Sequence, residues 1–165
     1  MTKTAYIGIG SNLGDKLNNC LKAAEQAKEI PGCGFQALSR FFRTEPVGVA
    51  GQDWYINGVI ALRTDISARD LLKALLAIEA HMGRQRKQKW DSRAIDLDIL
   101  LYGGDVIHED GLKVPHPYMH LRRFVLVPMV QLAPAVIHPV LGQTMKELLE
   151  QLPADGQAVK EIGET

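Results

Sequence analysis

Apolar and polar positions alternate, then change period, several times along the chain. Residues 4–11, TAYIGIGS, alternate with β-forming side chains and predict a strand, although Gly8 and Gly10 interrupt it. Glycine inside a strand marks a place where something packs close to the backbone. After Asp15, Leu17, Leu21, Ala24 and Ala27 recur at helical spacing until Pro31-Gly32 stops the pattern. Residues 35–43 read as one strand, 44–53 as a loop punctuated by glycine and proline, and 55–64 as another strand. Ser67-Ala-Arg-Asp70 opens a second helix with an Asp variant of the capping box. Leu71, Leu75, Ile78 and Met82 line one face of it and Gly83 ends it.

A polar loop follows at 84–93, then a strand at 94–102, AIDLDILLY, a Gly103-Gly104 turn and a short VIH segment. Residues 115–139 carry five of the eight prolines, so long uninterrupted helices are not expected there. One amphipathic helix starts near Thr144, with Met145, Leu148, Leu149 and Leu152 on its apolar face. The element order is β-α-β-β-α-β plus a proline-rich C-terminal extension. It predicts an α+β, ferredoxin-like split βαβ fold, an antiparallel sheet with helices on one face. That architecture hosts many activities and selects none.

The length of 165 residues predicts a single domain spanning 1–165. Nineteen Lys and Arg balance nineteen Asp and Glu, so a broad basic surface for coating nucleic acid or membrane is not expected. No apolar run approaches the ~20 residues of a membrane helix. Asn12 and Asp15 arrive too early for a secretory apolar region, and Cys20 and Cys33 make neither a disulfide framework nor a CxxC pair. A cytoplasmic protein is expected.

Asp96-Leu97-Asp98 is the sharpest chemical feature. On a strand, residues two apart share a face about 6.6 Å apart along the chain, so two carboxylates stand side by side among apolar neighbours. Their repulsion is relieved by hard divalent cations, Mg²⁺ above all, which accept carboxylate and phosphate oxygens; the bland alternative is two solvated acids on an exposed strand face. The preceding loop holds Arg84, Arg86, Lys87, Lys89 and Arg93 against the single acid Asp91, with Trp90 among them. Taken alone this is a solvated charge run. Beside the aspartates it supplies the phosphate clamp of phosphoryl transfer, and a mobile lid over a nucleotide is expected.

Other features are weaker. Gly10-Ser11-Asn12-Leu13-Gly14 suits an anion-binding loop but lacks the Gly-Lys-Ser/Thr of a Walker loop, and taken alone reads more simply as a strand-to-helix turn. Tyr55 and Asn57 share a strand face that suits a flat heterocycle; taken alone, core packing for Tyr55 and an edge or turn role for Asn57 is the preferred reading. His116 and His120 are separated by Pro117 and make no zinc pair; His116 either meets a phosphate or serves its own loop. Glu79, on a helix face with Leu72 and Leu76, reads as one half of a buried ion pair, with Arg84 as the partner in view.

Taken in order, GSNLGD, FRTEPVG (42–48), WYIN (54–57), E-x3-GRxR (79–86), W-x2-R-x2-DLDILLYG (90–103) and VPHP…RRF…P (114–128) form a series over roughly residues 4–135. It strongly resembles the 6-hydroxymethyl-7,8-dihydropterin pyrophosphokinase family of folate biosynthesis. The resemblance implies transfer of pyrophosphate from ATP to 6-hydroxymethyl-7,8-dihydropterin, giving AMP and the pterin diphosphate. It further implies that Asp96 and Asp98 hold two Mg²⁺ ions and that Arg84 and Arg93 contact phosphates. Arg86, Trp90, Ile99, His116 and Arg122 would complete the ATP site. Tyr55 and Phe124 would sandwich the pterin, with Asn57, Thr44 and the loop of Glu45 and Val47 reading its edge. A monomer is expected, with small-molecule partners only. The chain departs from the family pattern at Asp91, where glycine is common, and at Pro117, which moves a tyrosine one place on to Tyr118.

Two other classes compete. A Mg²⁺-dependent nucleotidyltransferase also uses a Gly-Ser turn and a DxD pair, but it sets them a short helix apart, and here 84 residues (12–95) intervene. An RNA-binding module of the same element order needs aromatic-rich strands, and YINGVIAL has one aromatic residue.

Overall fold

A computed structural model describes residues 2–44, 54–83, 94–153 and 159–162. The sheet is built from β1 (Lys3–Ser11), β2 (Cys33–Leu38), β3 (Phe42–Thr44), β4 (Tyr55–Thr64), β5 (Asp96–Tyr102) and, late in the chain, β8 (Val159–Glu161). Its order is β5-β1-β4-β3-β8, with β2 also paired to β4, and every pairing is antiparallel. A separate hairpin joins β6 (Ile107–Glu109) and β7 (Leu112–Val114), so the short VIH segment has a strand partner.

Helices α1 (Lys16–Lys28) and α2 (Ala68–Met82) begin where capping chemistry directs them. The Asp15 carboxylate accepts from Asn18 N at 3.3 Å and the Ser67 hydroxyl from Asp70 N at 3.1 Å. Cys20, Ala23, Ala24 and Ala27 of α1 and Leu71, Leu75 and Ile78 of α2 pack on Ala5, Ile7, Ile9, Ile60, Leu62, Leu97 and Ile99. These are alternate residues of β1, β4 and β5, as the two-residue period of a strand requires.

The α+β class with an antiparallel sheet is as expected; the placement of helices differs. The proline-rich extension forms α3 (Arg123–Leu132) and α4 (Met145–Glu150), and both cover the opposite face. That face presents Tyr6, Val59, Ala61, Leu100 and Leu101, which α3 covers with Val125, Leu126 and Met129 and α4 with Met145 and Leu148. Pro128 sits inside α3. It forfeits one helical hydrogen bond, to the Phe124 carbonyl, and the apolar burial outweighs that loss. The predicted tail helix begins at Thr144 with a full capping box to Glu147.

The single strand expected over 35–43 is broken. Ser39 Oγ accepts from Val59 N at 2.8 Å and donates to Arg40 O, replacing a rung of the ladder. Phe41 then turns into the α1–α2 core over Gly58, where a Cβ would lie 2.6 Å from the phenylalanine ring. No helix among the described residues is long and apolar enough to cross a membrane.

Candidate active site

At the end of the face beyond α3 and α4, the sheet register shows which side chains gather. Gly10 pairs with Asn57 on one side and with Asp96 on the other, and Asn57 pairs onward with Phe42. The neighbouring row runs Asp98–Gly8–Val59, and Thr44 pairs with Tyr55. Side chains two apart share a face, so Asp96, Asp98, Tyr55, Asn57 and Thr44 project the same way. Strands lie about 4.8 Å apart, which puts Asp96 and Asn57 about 10 Å from each other across a glycine. The two glycines that interrupt the first strand therefore clear a floor between an acidic wall and an amide wall.

The floor is tight at one point. A Cβ on Gly10 would stand 2.8 Å from Asn57 Oδ1, whereas one on Gly8 would meet Leu100 at an ordinary 3.5 Å. Asn57 is 7% exposed, and its Nδ2 donates to the buried Thr44 Oγ1 at 3.2 Å, which fixes the amide. Tyr55 is half-buried; burial first and the Asp96 charge second hold its phenol above the usual value. That coupling brings Tyr55 and Asp96 within electrostatic reach of each other.

The segment after β7 closes the acidic side. Beyond the cis Val114–Pro115 bond, His116 N donates to Leu100 O at 3.0 Å, laying His116 alongside β5. Tyr118 N donates to His116 Nδ1 at 3.2 Å, so the neutral ring carries its proton on Nε2. Burial is the main influence pushing the His116 pKa below 6.5; Asp98 opposes it and Arg122 adds to it. The Arg122 guanidinium lies 5.6 Å from the ring centres of both Tyr118 and Phe124, at the start of α3. Tyr118, displaced by one position relative to the family pattern, is 57% exposed with its ring edge-on to His116.

The structure thus gathers Asp96, Asp98, Tyr55, Asn57, Thr44, His116, Arg122 and Phe124 at one end of that face. Ile99 differs. Its side chain is 5% exposed in the α1–α2 core, leaving only its backbone for a ligand. Arg84, Arg86, Trp90, Arg93, Glu45 and Val47, with the proposed lid at 84–93, lie outside the described residues. Arg84, the expected partner of Glu79, is among the residues outside the described set; the Glu79 Oε2 accepts from Leu97 N at 2.7 Å, between the two aspartates. Ser11, expected only as part of the turn after the first strand, is buried and its hydroxyl donates to Ala94 O at 2.6 Å. Only the tertiary pairing of β1 and α2 with the start of β5 reveals either contact.

The acidic pair suits a hard cation. Among the described residues no group of three or more His, Cys, Asp or Glu is placed to hold a metal by itself. Asp96 and Asp98 would therefore supply two carboxylates and leave the remaining positions to phosphate oxygens and water, the coordination habit of Mg²⁺ rather than of zinc.

Comparison with known proteins finds relatives over most of the chain. The family model described as 7,8-dihydro-6-hydroxymethylpterin-pyrophosphokinase matches residues 6–134. A 2-amino-4-hydroxy-6-hydroxymethyldihydropteridine pyrophosphokinase of Methylorubrum extorquens is 39% identical over 152 residues, 92% of this chain and 95% of that protein. The enzyme of the same name from Pseudomonas aeruginosa is 39% identical over 156 residues, covering 94% and 96%. Among solved structures, wild-type Plasmodium falciparum HPPK-DHPS with pteroate superposes with a TM-score of 0.73 at 16% identity, which bears on the fold alone. That match covers 92% of this chain and 42% of the longer Plasmodium chain. With the matched model spanning most of its length and relatives aligned nearly end to end, the chain belongs to the 7,8-dihydro-6-hydroxymethylpterin pyrophosphokinase family.

Proposed function

We propose that this chain, as one domain, transfers an intact pyrophosphoryl group from ATP to 6-hydroxymethyl-7,8-dihydropterin in folate biosynthesis. The hydroxymethyl oxygen forms a bond to the β-phosphorus, the bond from that phosphorus to the α-bridging oxygen breaks, AMP leaves and the hydroxyl proton is released. The observation that carries the reading is the row Asp96–Gly10–Asn57, in which a carboxylate and an amide face each other across a cleared floor.

The division of labour follows from that row. Asn57, held by Thr44, presents donor and acceptor to the edge of a flat heterocycle, while Tyr55 and Phe124 offer it ring faces. Asp96 and Asp98 would hold two Mg²⁺ ions, which when bound neutralise charge on the triphosphate. Arg122 and the His116 Nε2–H supply further donors beside the acids, and Arg84, Arg86, Trp90 and Arg93 are assigned to the nucleotide by the family resemblance. The same reading has the protein acting in the cytoplasm as a monomer, without nucleic-acid or membrane partners.

Phosphorus NMR of the protein with ATP, Mg²⁺ and the hydroxymethyl pterin tests the reaction class. Signals of AMP and of a pterin diphosphate are expected; release of free pyrophosphate with a nucleotidyl-pterin product would instead indicate a nucleotidyltransferase.

A further inference from the structure

Among the described residues β5 is an end strand of the sheet, so alternate amides along its outer edge have no partner in a neighbouring strand. That of Leu97 donates to Glu79 Oε2 at 2.7 Å. The peptide so held is the one that joins Asp96 to Leu97. Two residues earlier, the buried Ser11 hydroxyl grips the carbonyl of Ala94 at 2.6 Å. The backbone is therefore fastened on both sides of Asp96, from α2 below and from the end of β1 beside it.

The location of Glu79 argues that this contact has a purpose. It lies in the last turn of α2, where the helix dipole disfavours an acid, so helix stability does not account for a carboxylate there. Hydrogen bonds from an amide to a charged carboxylate are roughly twice as strong as neutral ones. Glu79 belongs to no cluster of three or more metal-capable side chains among the described residues, which separates it from a third ligand. We propose that Glu79 is a positioning residue that, with Ser11, fixes the peptide frame from which Asp96 and Asp98 reach a divalent cation. The inference rests on the proposed reading of that pair.

The test compares Glu79→Ala, Glu79→Gln and, as control, Asp98→Asn. Mn²⁺ affinity is read by electron paramagnetic resonance with a non-hydrolysable ATP analogue, and Leu97 amide exchange by NMR in the ligand-free protein. Glu79→Ala should weaken Mn²⁺ binding by about 10–100-fold, the usual cost of losing an outer partner of a metal ligand, and should speed Leu97 exchange. Glu79→Gln, whose amide oxygen still accepts the Leu97 N–H, should restore most of both. Unchanged Mn²⁺ affinity in Glu79→Ala, or a glutamine variant as impaired as the alanine one, would overturn the proposal. Asp98→Asn binding Mn²⁺ normally would overturn the reading of the pair itself. Should Glu79→Ala fail to fold, Ser11→Ala removes the other anchor and carries the same expectation, with undiminished Mn²⁺ binding counting against it.

Discussion

Gly10→Ala adds one methyl group to the floor of the site, and the structure says where it goes. Its Cβ would sit 2.8 Å from Asn57 Oδ1, about 0.6 Å inside the 3.4 Å at which ordinary contact begins. Backbone strain is not the issue, because Gly10 is not among the glycines with positive φ. The Asn57 side chain must give way, yet it is 7% exposed and tied to Thr44 Oγ1 at 3.2 Å. Overpacking of this kind costs about 1–3 kcal/mol, and a strained or broken amide bond adds about 1 kcal/mol. Pterin affinity should fall by about 10–100-fold if the displaced amide is what reads the heterocycle, since each tenfold is about 1.4 kcal/mol. Gly8→Ala is the internal control. Its Cβ meets Leu100 at an ordinary 3.5 Å, so stability should stay within about 0.5 kcal/mol or rise slightly. Urea denaturation and calorimetric pterin binding on the two variants make the comparison. Gly10→Ala with wild-type stability and affinity, or Gly8→Ala with equal damage, would refute the reasoning.

Three further outcomes are expected. Asp96→Asn and Asp98→Asn should each lower turnover by more than about 100-fold while leaving the denaturation midpoint near that of the parent, measured by AMP release. Thr44→Val leaves Asn57 Nδ2 buried without its acceptor and should destabilise the fold by about 1–3 kcal/mol while raising the KM for pterin more than that for ATP. The third concerns His138, which is 4% exposed and whose Nδ1 accepts from the amides of Val140 and Leu141 while its ring meets that of His120. Burial, and then the nearby His120, push its pKa below 6.5. The unfolded chain takes up that proton more readily than the folded one. Its contribution is therefore complete above about pH 6.5 and is lost as pH falls toward the folded value. His138→Asn, which keeps an acceptor and cannot titrate, should flatten the stability profile between pH 7 and 5; an unchanged slope would remove His138 as its source.

Much of the site was legible in the sequence because strand geometry has a period of two. The shared face of Asp96 and Asp98, and that of Tyr55 and Asn57, follows from spacing alone, and of the two interrupting glycines Gly10 marks a close approach while Gly8 meets only ordinary contact. Helix starts at Asp15, Ser67 and Thr144 were equally local, each set by a side chain accepting an amide three residues on. What escaped depends on contacts between distant segments. The break after Leu38 needs Val59 opposite Ser39 and the hollow at Gly58 for Phe41. The second helical layer needs the apolar face of Tyr6, Val59 and Leu100, whose burial overrides the helix-breaking tendency of Pro128. Arg84, the partner expected for Glu79, lies outside the described residues, and the Leu97 amide from which Glu79 accepts belongs to β5, a contact that only the packing of α2 beside β5 creates. Local pattern specified the elements; register across β1 specified the site.

The proposed site is a glycine-floored face with the triphosphate cations on one wall and the pterin on the other. A crystal structure with Mg²⁺, a non-hydrolysable ATP analogue and the hydroxymethyl pterin tests it most directly. Cations bonded to carboxylate oxygens of both Asp96 and Asp98, with the pterin edge on Asn57, are the predicted result. Carboxylates turned to bulk water, with the ligands seated on another face of the sheet, would contradict it.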